Sequence, residues 1–393
     1  MIVLAPNQQC TGCTACYAIC ANDAISMIVD KNGCRHPVID ENKCIGCHKC
    51  EKSCPILNPW SPLDVGKVKC FAAKAKDDSI RLNSSSGGIF YLLAKAVIDN
   101  SGYVFGCIWQ MPEFRAVHVK AERLEDMLAM RGSKYVQSDL GNAFSECRNE
   151  LKAGHQVLFS GTPCQIAGLN HFLGKNYENL VTIEVICHGV PMAEVFEEYK
   201  RQLRNEHQNE LSSFSFRSKC FSWRRTCFVA HFQRATKQIL LGDIRENPYG
   251  RAFINNLSLR ESCFDCQCKA GKSHADITLG DFWGIESIFP DLDDDKGISA
   301  VILHTPNGMK LWKNIANIVI SKECSIEDIV QGSNKVYSES VLKPDGWKNF
   351  ISKYRKKQMD FLVKGCLEGP WYRHIIRSIR FRIFLIFHRN VRI

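Results

Sequence analysis

The chain has 393 residues, 45% of them apolar and 23% charged, which is globular composition and excludes a disordered or collagen-like chain. Its formal charge of +10 is local. From Trp347 onward stand twelve Lys/Arg against two Asp/Glu, and taken from totals of 51 and 41 these leave 39 of each over residues 1–346. A neutral body excludes the broad basic surface of a nucleic-acid-binding protein.

Cysteine is the unusual residue, at 21 of 393. Residues 1–8 have neither a basic start nor a long apolar run, so no secretory leader is expected and the chain reads as cytoplasmic. In a reducing compartment so many thiols bind metal rather than pair. No stretch reaches the roughly 18 uncharged apolar residues of a membrane span.

The first 60 residues carry the strongest pattern. Cys10, Cys13, Cys16 and Cys20 have the spacing C-x-x-C-x-x-C-x-x-x-C, and Cys44, Cys47, Cys50 and Cys54 repeat it, with Pro55 following. A tight loop turns three thiolates toward one iron cube, and the fourth ligand comes from the other run. This predicts one 4Fe-4S cluster on Cys10, Cys13, Cys16 and Cys54, and a second on Cys44, Cys47, Cys50 and Cys20. Gly12 and Gly46 relieve the crowded turns. The segment resembles the bacterial two-cluster ferredoxin module, departing from it at Ala21 where the repeat has proline. Cys34 lies outside both runs and reads as a buried small side chain.

A strand is expected over Val65–Ala73. Ser84, Ser85, Ser86, Gly87 and Gly88 then form a small, hydroxyl-rich loop before the helical pattern that starts at Ile89. Such a helix N-terminus favours a phosphate, although a run of this kind is more often an ordinary N-cap. Strands follow near Tyr103–Trp109 and Arg115–Val119, and helices over Leu124–Met130 and Gly141–Ala153. Arg131 and Lys134 lie between these helices as candidate cations for a bound anion, or as ordinary exposed charges.

Gln156–Ser160 and Val181–Ile186 are continuous apolar runs, suited to a sheet buried on both faces. Cys164 follows the first, in Gly161-Thr162-Pro163-Cys164, and Cys187 follows the second. Cys263 and Cys266 form a C-x-x-C with Cys268 beyond it. On spacing alone these cysteines are open to three readings: a shared metal site, a redox or zinc pair, or buried small side chains. His188 is a candidate proton donor or a structural neighbour of Cys187. A helix is expected over Met192–Gln202, and an antiparallel part from Phe214–Arg217 and Cys227–Phe232. Asp276–Gly280 and Ser299–His304 read as strands. The acidic stretch Pro290–Gly297 lacks the calcium-loop pattern and reads as solvated. Asp281-Phe282-Trp283-Gly284 reads mainly as core packing.

In the tail, Tyr372, Ile375, Ile376, Ile379, Ile383, Ile386 and Phe387 share one helical face flanked by Arg373, Arg377, Arg380 and Arg382. This amphipathic pattern suits peripheral contact with the inner face of a membrane, or docking on the body or a partner.

One ordered set of segments resembles the coenzyme F-420 hydrogenase/dehydrogenase beta-subunit family, iron–sulfur flavoproteins that include hydroxymethyl-chlorophyll reductase. The set is Ser84–Gly88, Gly132–Gln137, Phe159–Gln165, Ile186–Pro191, Cys263-x-x-Cys266 and Ala275–Gly284. The resemblance implies a third 4Fe-4S cluster on Cys164, Cys187, Cys263 and Cys266, with Cys268 as an extra candidate. It also implies FAD near Ser84–Gly88, Arg131, Lys134 and Thr162. The expected fold is an α+β ferredoxin-like module over 1–60, followed by an α/β flavin/iron–sulfur domain with a mixed sheet. That domain divides into a flavin-binding region over 65–150 and a region with the third-cluster cysteines over 151–330, and a basic amphipathic tail occupies 345–393. The expected function is an oxidoreductase passing electrons between the clusters, FAD and a substrate. The alternative is an electron-transfer subunit serving a partner enzyme. The resemblance names an electron donor or acceptor protein, or a reduced cofactor, as partner. It leaves the small-molecule substrate open, coenzyme F-420 included.

Overall fold

The two cysteine runs fold alike. In each, a glycine with φ +67° (Gly12, Gly46) precedes a residue held left-handed (Thr14, His48) that opens a single helical turn, Ala15–Ala18 or Lys49–Lys52. Between the turns lies the antiparallel hairpin β1 (Ile25–Val29) and β2 (Arg35–Ile39). The computed structural model describes residues 2–235 and 237–368. The amphipathic pattern at Tyr372–Phe387 lies outside them.

The body is built on β3 (Lys69–Ala75), β4 (Tyr103–Gln110), β5 (Arg115–Ala121), β6 (Val157–Gly161), β7 (Leu180–Val185), β8 (Leu211–Ser218), β9 (Cys227–Phe232), β10 (Ile239–Asp243), β11 (Ile277–Asp281), β12 (Ser299–Leu303) and β13 (Val319–Cys324). Eight of these form one mixed sheet in the order β13-β3-β12-β11-β7-β6-β4-β5. Its centre, β11-β7-β6-β4, is parallel, and both flanks are antiparallel. Side chains of β6 serve cores on both faces: Leu158 packs with Val181 and Leu92, whereas Val157 and Phe159 pack with Phe105 and Phe144. Burial on both sides explains the unbroken apolar runs. β8, β9 and β10 form a separate antiparallel sheet, as the alternating pattern predicts, with β10 added.

Three expectations shift. The segment Val65–Lys67 is a 3₁₀ turn, and β3 begins at Lys69. The acidic loop is exposed in part, as expected, but is also tied down: Asp294 pairs with Lys74 (3.0 Å) and with Arg81, Asp293 with Arg224 (2.6 Å), and Asp291 with Lys322. Lys74 and Arg81 are buried, and a buried cation needs a carboxylate, so the loop closes over them. The described part of the basic segment is docked on the body rather than standing apart as a tail. Trp347, Phe350, Tyr354, Met359 and Val363 are buried in the core that includes Phe196 and Tyr249. Among the described residues no helix is long and apolar enough to cross a membrane.

The ferredoxin-like module is docked on this body. Trp60 stacks on His171 (3.9 Å between ring centres) and tilts against His274, while His171 and His274 contact the carbonyls of Asn58 and Ser61. Gln137 donates to the carbonyl of Thr11, and Arg35 pairs with Asp139.

Candidate metal centres

The cysteine runs line two clefts. One is lined by Cys10, Cys13, Cys16 and Cys54, together with Thr11 and Thr14. The other is lined by Cys20, Cys44, Cys47 and Cys50. Each cleft thus takes three thiols from one run and one from the other, the division expected from spacing. In the first, burial pushes the Cys16 thiol up to about 12 and Cys13 well above its usual range, with neighbouring thiols adding to the rise. Four converging thiols suit an iron cluster, which supplies positive charge to the thiolates. The hydroxyls of Thr11 and Thr14 are buried without a hydrogen-bond partner, which leaves two donors at the same cleft. The second cleft is nearer solvent, with Cys47 and Ile45 exposed.

The third set assembles at the carboxyl ends of adjacent parallel strands. Gly161 of β6 pairs with Glu184 of β7, and Cys164 and Cys187 lie just beyond these strand ends. In open α/β sheets ligands collect in that crevice. Thr162 opens the helix Pro163–Leu173, its N–H donating to Gln165 Oε1 (2.9 Å), which places Cys164 in the first turn. Cys263 stands in the 3₁₀ turn Glu261–Asp265, and its sulfur accepts from the N–H of Val190 (3.3 Å). The thiols of Cys164, Cys187, Cys263 and Cys266 all interact electrostatically with one another. Burial first, and then these neighbours, push Cys164 to about 11 and Cys263 to about 12. Cys268 is fully buried, and it hydrogen-bonds to Cys266 and lowers it. It also faces Cys164, and Cys13 of the first cleft.

The two regions meet at one glycine. Gly168 lies one turn after Cys164 on the same helix, and a Cβ built there falls 2.8 Å from Cys13 Cβ and 2.9 Å from Cys13 Sγ. Only a residue without a side chain lets Cys13 approach so closely.

The loop Ser84–Gly88 lies against the segment that carries Arg131 and Lys134. Arg131 donates to the Ile80 carbonyl (2.7 Å) and to Ser84 Oγ (3.3 Å), and the N–H of Ser133 donates to Ser85 Oγ (2.7 Å). The serine hydroxyls are mostly committed inside the protein: Ser84 to the Ile80 carbonyl, Ser86 to that of Ile298. Gly87 is needed for packing, since a Cβ there falls 2.4 Å from the Ala73 carbonyl. Gly88, at φ +85°, opens the helix Ile89–Asp99, which has no side-chain cap. What the loop offers an anion is therefore the helix N-terminus and a cationic rim rather than three hydroxyls. Arg131 has no carboxylate partner among the described residues, and its Nε is buried without an acceptor. Lys134 donates to the carbonyls of residues 129–132, and burial lowers its pKa. Lys219, not singled out from sequence, clamps the carbonyls of Arg81 and Ser86 (both 2.8 Å) and that of Lys296, and burial brings it down to about 7.

A polar chain runs from β5 to the third cysteine set. His118, lowered to about 4 by burial, meets Ser138 Oγ (2.9 Å), which accepts from Gln165. Thr162 Oγ1 is 3.2 Å from Cys164 Sγ. His188 is held by Asn256 Oδ1 (2.7 Å) and packs edge-on to Phe253, and burial lowers its pKa. In the strand-end motif Phe282 is core, as expected. Asp281 adds what the sequence did not reveal: a buried pair with Arg217 (2.8 Å) and a bond from Trp223 Nε1 (2.8 Å).

Comparison with known proteins agrees with this division. Residues 9–57, which hold all eight cysteines of the two runs, match the 4Fe-4S dicluster domain. Residues 154–329, which hold the third set, match the C terminus of the coenzyme F420 hydrogenase/dehydrogenase beta subunit. No curated protein matches. A chain of the F420-reducing [NiFe] hydrogenase complex from Methanosarcina barkeri has 16% identity and a TM-score of 0.46, over 75% of this chain and 91% of that one. The chain therefore joins a 4Fe-4S dicluster domain, at residues 9–57, to a C-terminal domain of the coenzyme F420 hydrogenase/dehydrogenase beta-subunit family, at residues 154–329.

Proposed function

We propose that the chain is an iron–sulfur flavoprotein oxidoreductase with three 4Fe-4S clusters in series and FAD beside the third. The observation that carries this reading is the meeting of the thiols of Cys164, Cys187, Cys263 and Cys266 at one strand-end crevice, with Cys13 of the first cleft adjacent. Clusters pass single electrons, and FAD couples them to two-electron chemistry. The protein's own part is order and spacing. The solvent-near set of Cys20, Cys44, Cys47 and Cys50 is placed to meet a donor or acceptor protein. The set of Cys10, Cys13, Cys16 and Cys54 lies between it and the body, and the third set comes last. Arg131 and the N-terminus of Ile89–Asp99 would hold the FAD diphosphate, and Lys219 fixes the Ser86 carbonyl of that loop. Thr162, beside Cys164 and linked through Gln165 to Ser138, would meet the flavin at the third set. His188, its proton committed to Asn256, serves position rather than proton transfer.

The alternative of an electron-transfer subunit serving a partner enzyme has one observation in its favour: the matched family is described as a beta subunit. Bound FAD that reacts with small dyes favours the first reading, and FAD reduced only in the presence of a second protein favours the alternative.

Lys219 makes the FAD proposal testable by pH. With its pKa near 7 it is charged below that value and neutral above it, losing one donor to the Ser86 loop. FAD affinity, read by flavin fluorescence quenching, is expected to weaken above pH 7, by at most about tenfold per pH unit. Lys219→Met should bind more weakly at pH 6 and lose this pH dependence. Equal affinity of the two proteins at pH 6 would remove Lys219 and its loop from the flavin site.

A further inference from the structure

Arg260 is among the largest fully buried side chains, 2% exposed, in the turn that leads to Cys263. Its Nε donates to the carbonyl of Cys10 (2.8 Å), its Nη1 to Gln137 Oε1 (3.1 Å), and its Nη2 to the carbonyl of Arg35 (2.7 Å) and to His36 Nδ1 (3.2 Å). All four acceptors are neutral. Among the described residues no carboxylate pairs with it, whereas buried Arg217 has Asp281 and buried Arg81 has Asp78 and Asp294. A guanidinium does not lose its proton, and an uncompensated buried charge is costly. Besides the His36 ring, the titratable groups its charge reaches include the thiols of Cys34, Cys164 and Cys263.

Nearby, ligand atoms of Asp30, Cys34 and His36 lie within 4.8 Å of one another, in the manner of a metal site. Arg260 accounts for this group without an ion. Because it donates to His36 Nδ1, the ring proton sits on Nε2 and points at Asp30 Oδ2 (3.2 Å), so neither nitrogen has a lone pair left for a metal. The guanidinium is the cation here.

We propose that Arg260 sets the reduction potential of two clusters at once, the one on Cys10, Cys13, Cys16 and Cys54 and the one on Cys164, Cys187, Cys263 and Cys266. This rests on the third-cluster reading for its second half. A fixed positive charge between two anionic clusters stabilises the electron that each accepts, and so raises both potentials. Each step moves one electron from a reduced donor to the next cluster and no proton, since Arg260 stays charged throughout. The outer cluster, at Cys20, Cys44, Cys47 and Cys50, has no contact with Arg260 and is the internal control.

The test is a dithionite titration of the full-length holoprotein, followed by electron paramagnetic resonance, alongside iron analysis. Arg260→Gln is expected to keep its iron, to lower the first and third potentials, and to leave the outer one unchanged. Arg260→Lys should restore most of the loss. Gln137→Glu sets a carboxylate at the position 3.1 Å from Nη1, and is expected to lower the same two potentials with Arg260 in place. Unchanged potentials in iron-replete Arg260→Gln would overturn the proposal, as would an Arg260→Lys shift as large as that of Arg260→Gln. If Arg260→Gln loses iron, Gln137→Glu decides, and unchanged potentials there overturn it. A wild-type chain with about eight irons removes the third cluster alone, and the first-cluster shift then decides.

Discussion

Cys187→Ser should lose about four of about 12 irons per chain, with the ferredoxin-type signals intact. Cys187 is half-buried just beyond β7, where its thiol interacts with Cys263, Cys164 and Cys266. Lys269 favours its thiolate, but burial outweighs that effect. Iron compensates for this, and serine is a poor replacement for a soft thiolate ligand. The dicluster module draws none of its own eight cysteines from this crevice, so its two clusters remain. Cys268→Ser should keep all the iron, because Cys268 acts as a neighbour of Cys266 rather than as a ligand. The opposite pattern, with Cys268→Ser losing the four irons and Cys187→Ser keeping them, would transfer the ligand role to Cys268.

Gly168→Val is expected to separate the module from the body. The Cβ alone would fall 2.8 Å from Cys13 Cβ, and two further methyl groups have no space where this helix packs against the first cysteine turn. Overpacking of this kind costs roughly 1–3 kcal/mol, occasionally more. Here the displaced side chain is a cluster ligand as well. Heating or chelator challenge should therefore release iron from Gly168→Val first at the Cys10, Cys13, Cys16 and Cys54 site. The magnetic interaction between that cluster and the third should also weaken in the reduced protein. Wild-type iron retention and an unaltered interaction would show that Cys13 does not depend on this notch.

What the sequence revealed, and what it hid, follow the range of the interactions. The cysteine runs were legible because each packs four cysteines into eleven residues and the same spacing repeats. The parallel centre of the sheet was legible because burial on both faces leaves an unbroken apolar run, as in Val157–Phe159. The edge strands β10 and β13 carry no such run: Ile239–Asp243 is half exposed and Val319–Cys324 mixes Ser, Lys and Glu with apolar residues. Arg260 and Gly168 were not legible, because each acts on a residue more than a hundred positions away. The serine run marked a loop at a helix N-terminus, but its local pattern could not show that the fold spends the Ser84 and Ser86 hydroxyls on holding that loop. Trp347, Phe350 and Tyr354 were at helical spacing, but the surrounding lysines concealed the buried face.

The most direct test of the serial iron–sulfur and flavin account is one anaerobic preparation of the full chain, analysed for iron, extracted flavin and visible spectrum. The account predicts about 12 irons and one FAD per chain, with cluster absorption that bleaches on reduction. About eight irons with no FAD, even after reconstitution, would contradict it and leave a two-cluster electron carrier.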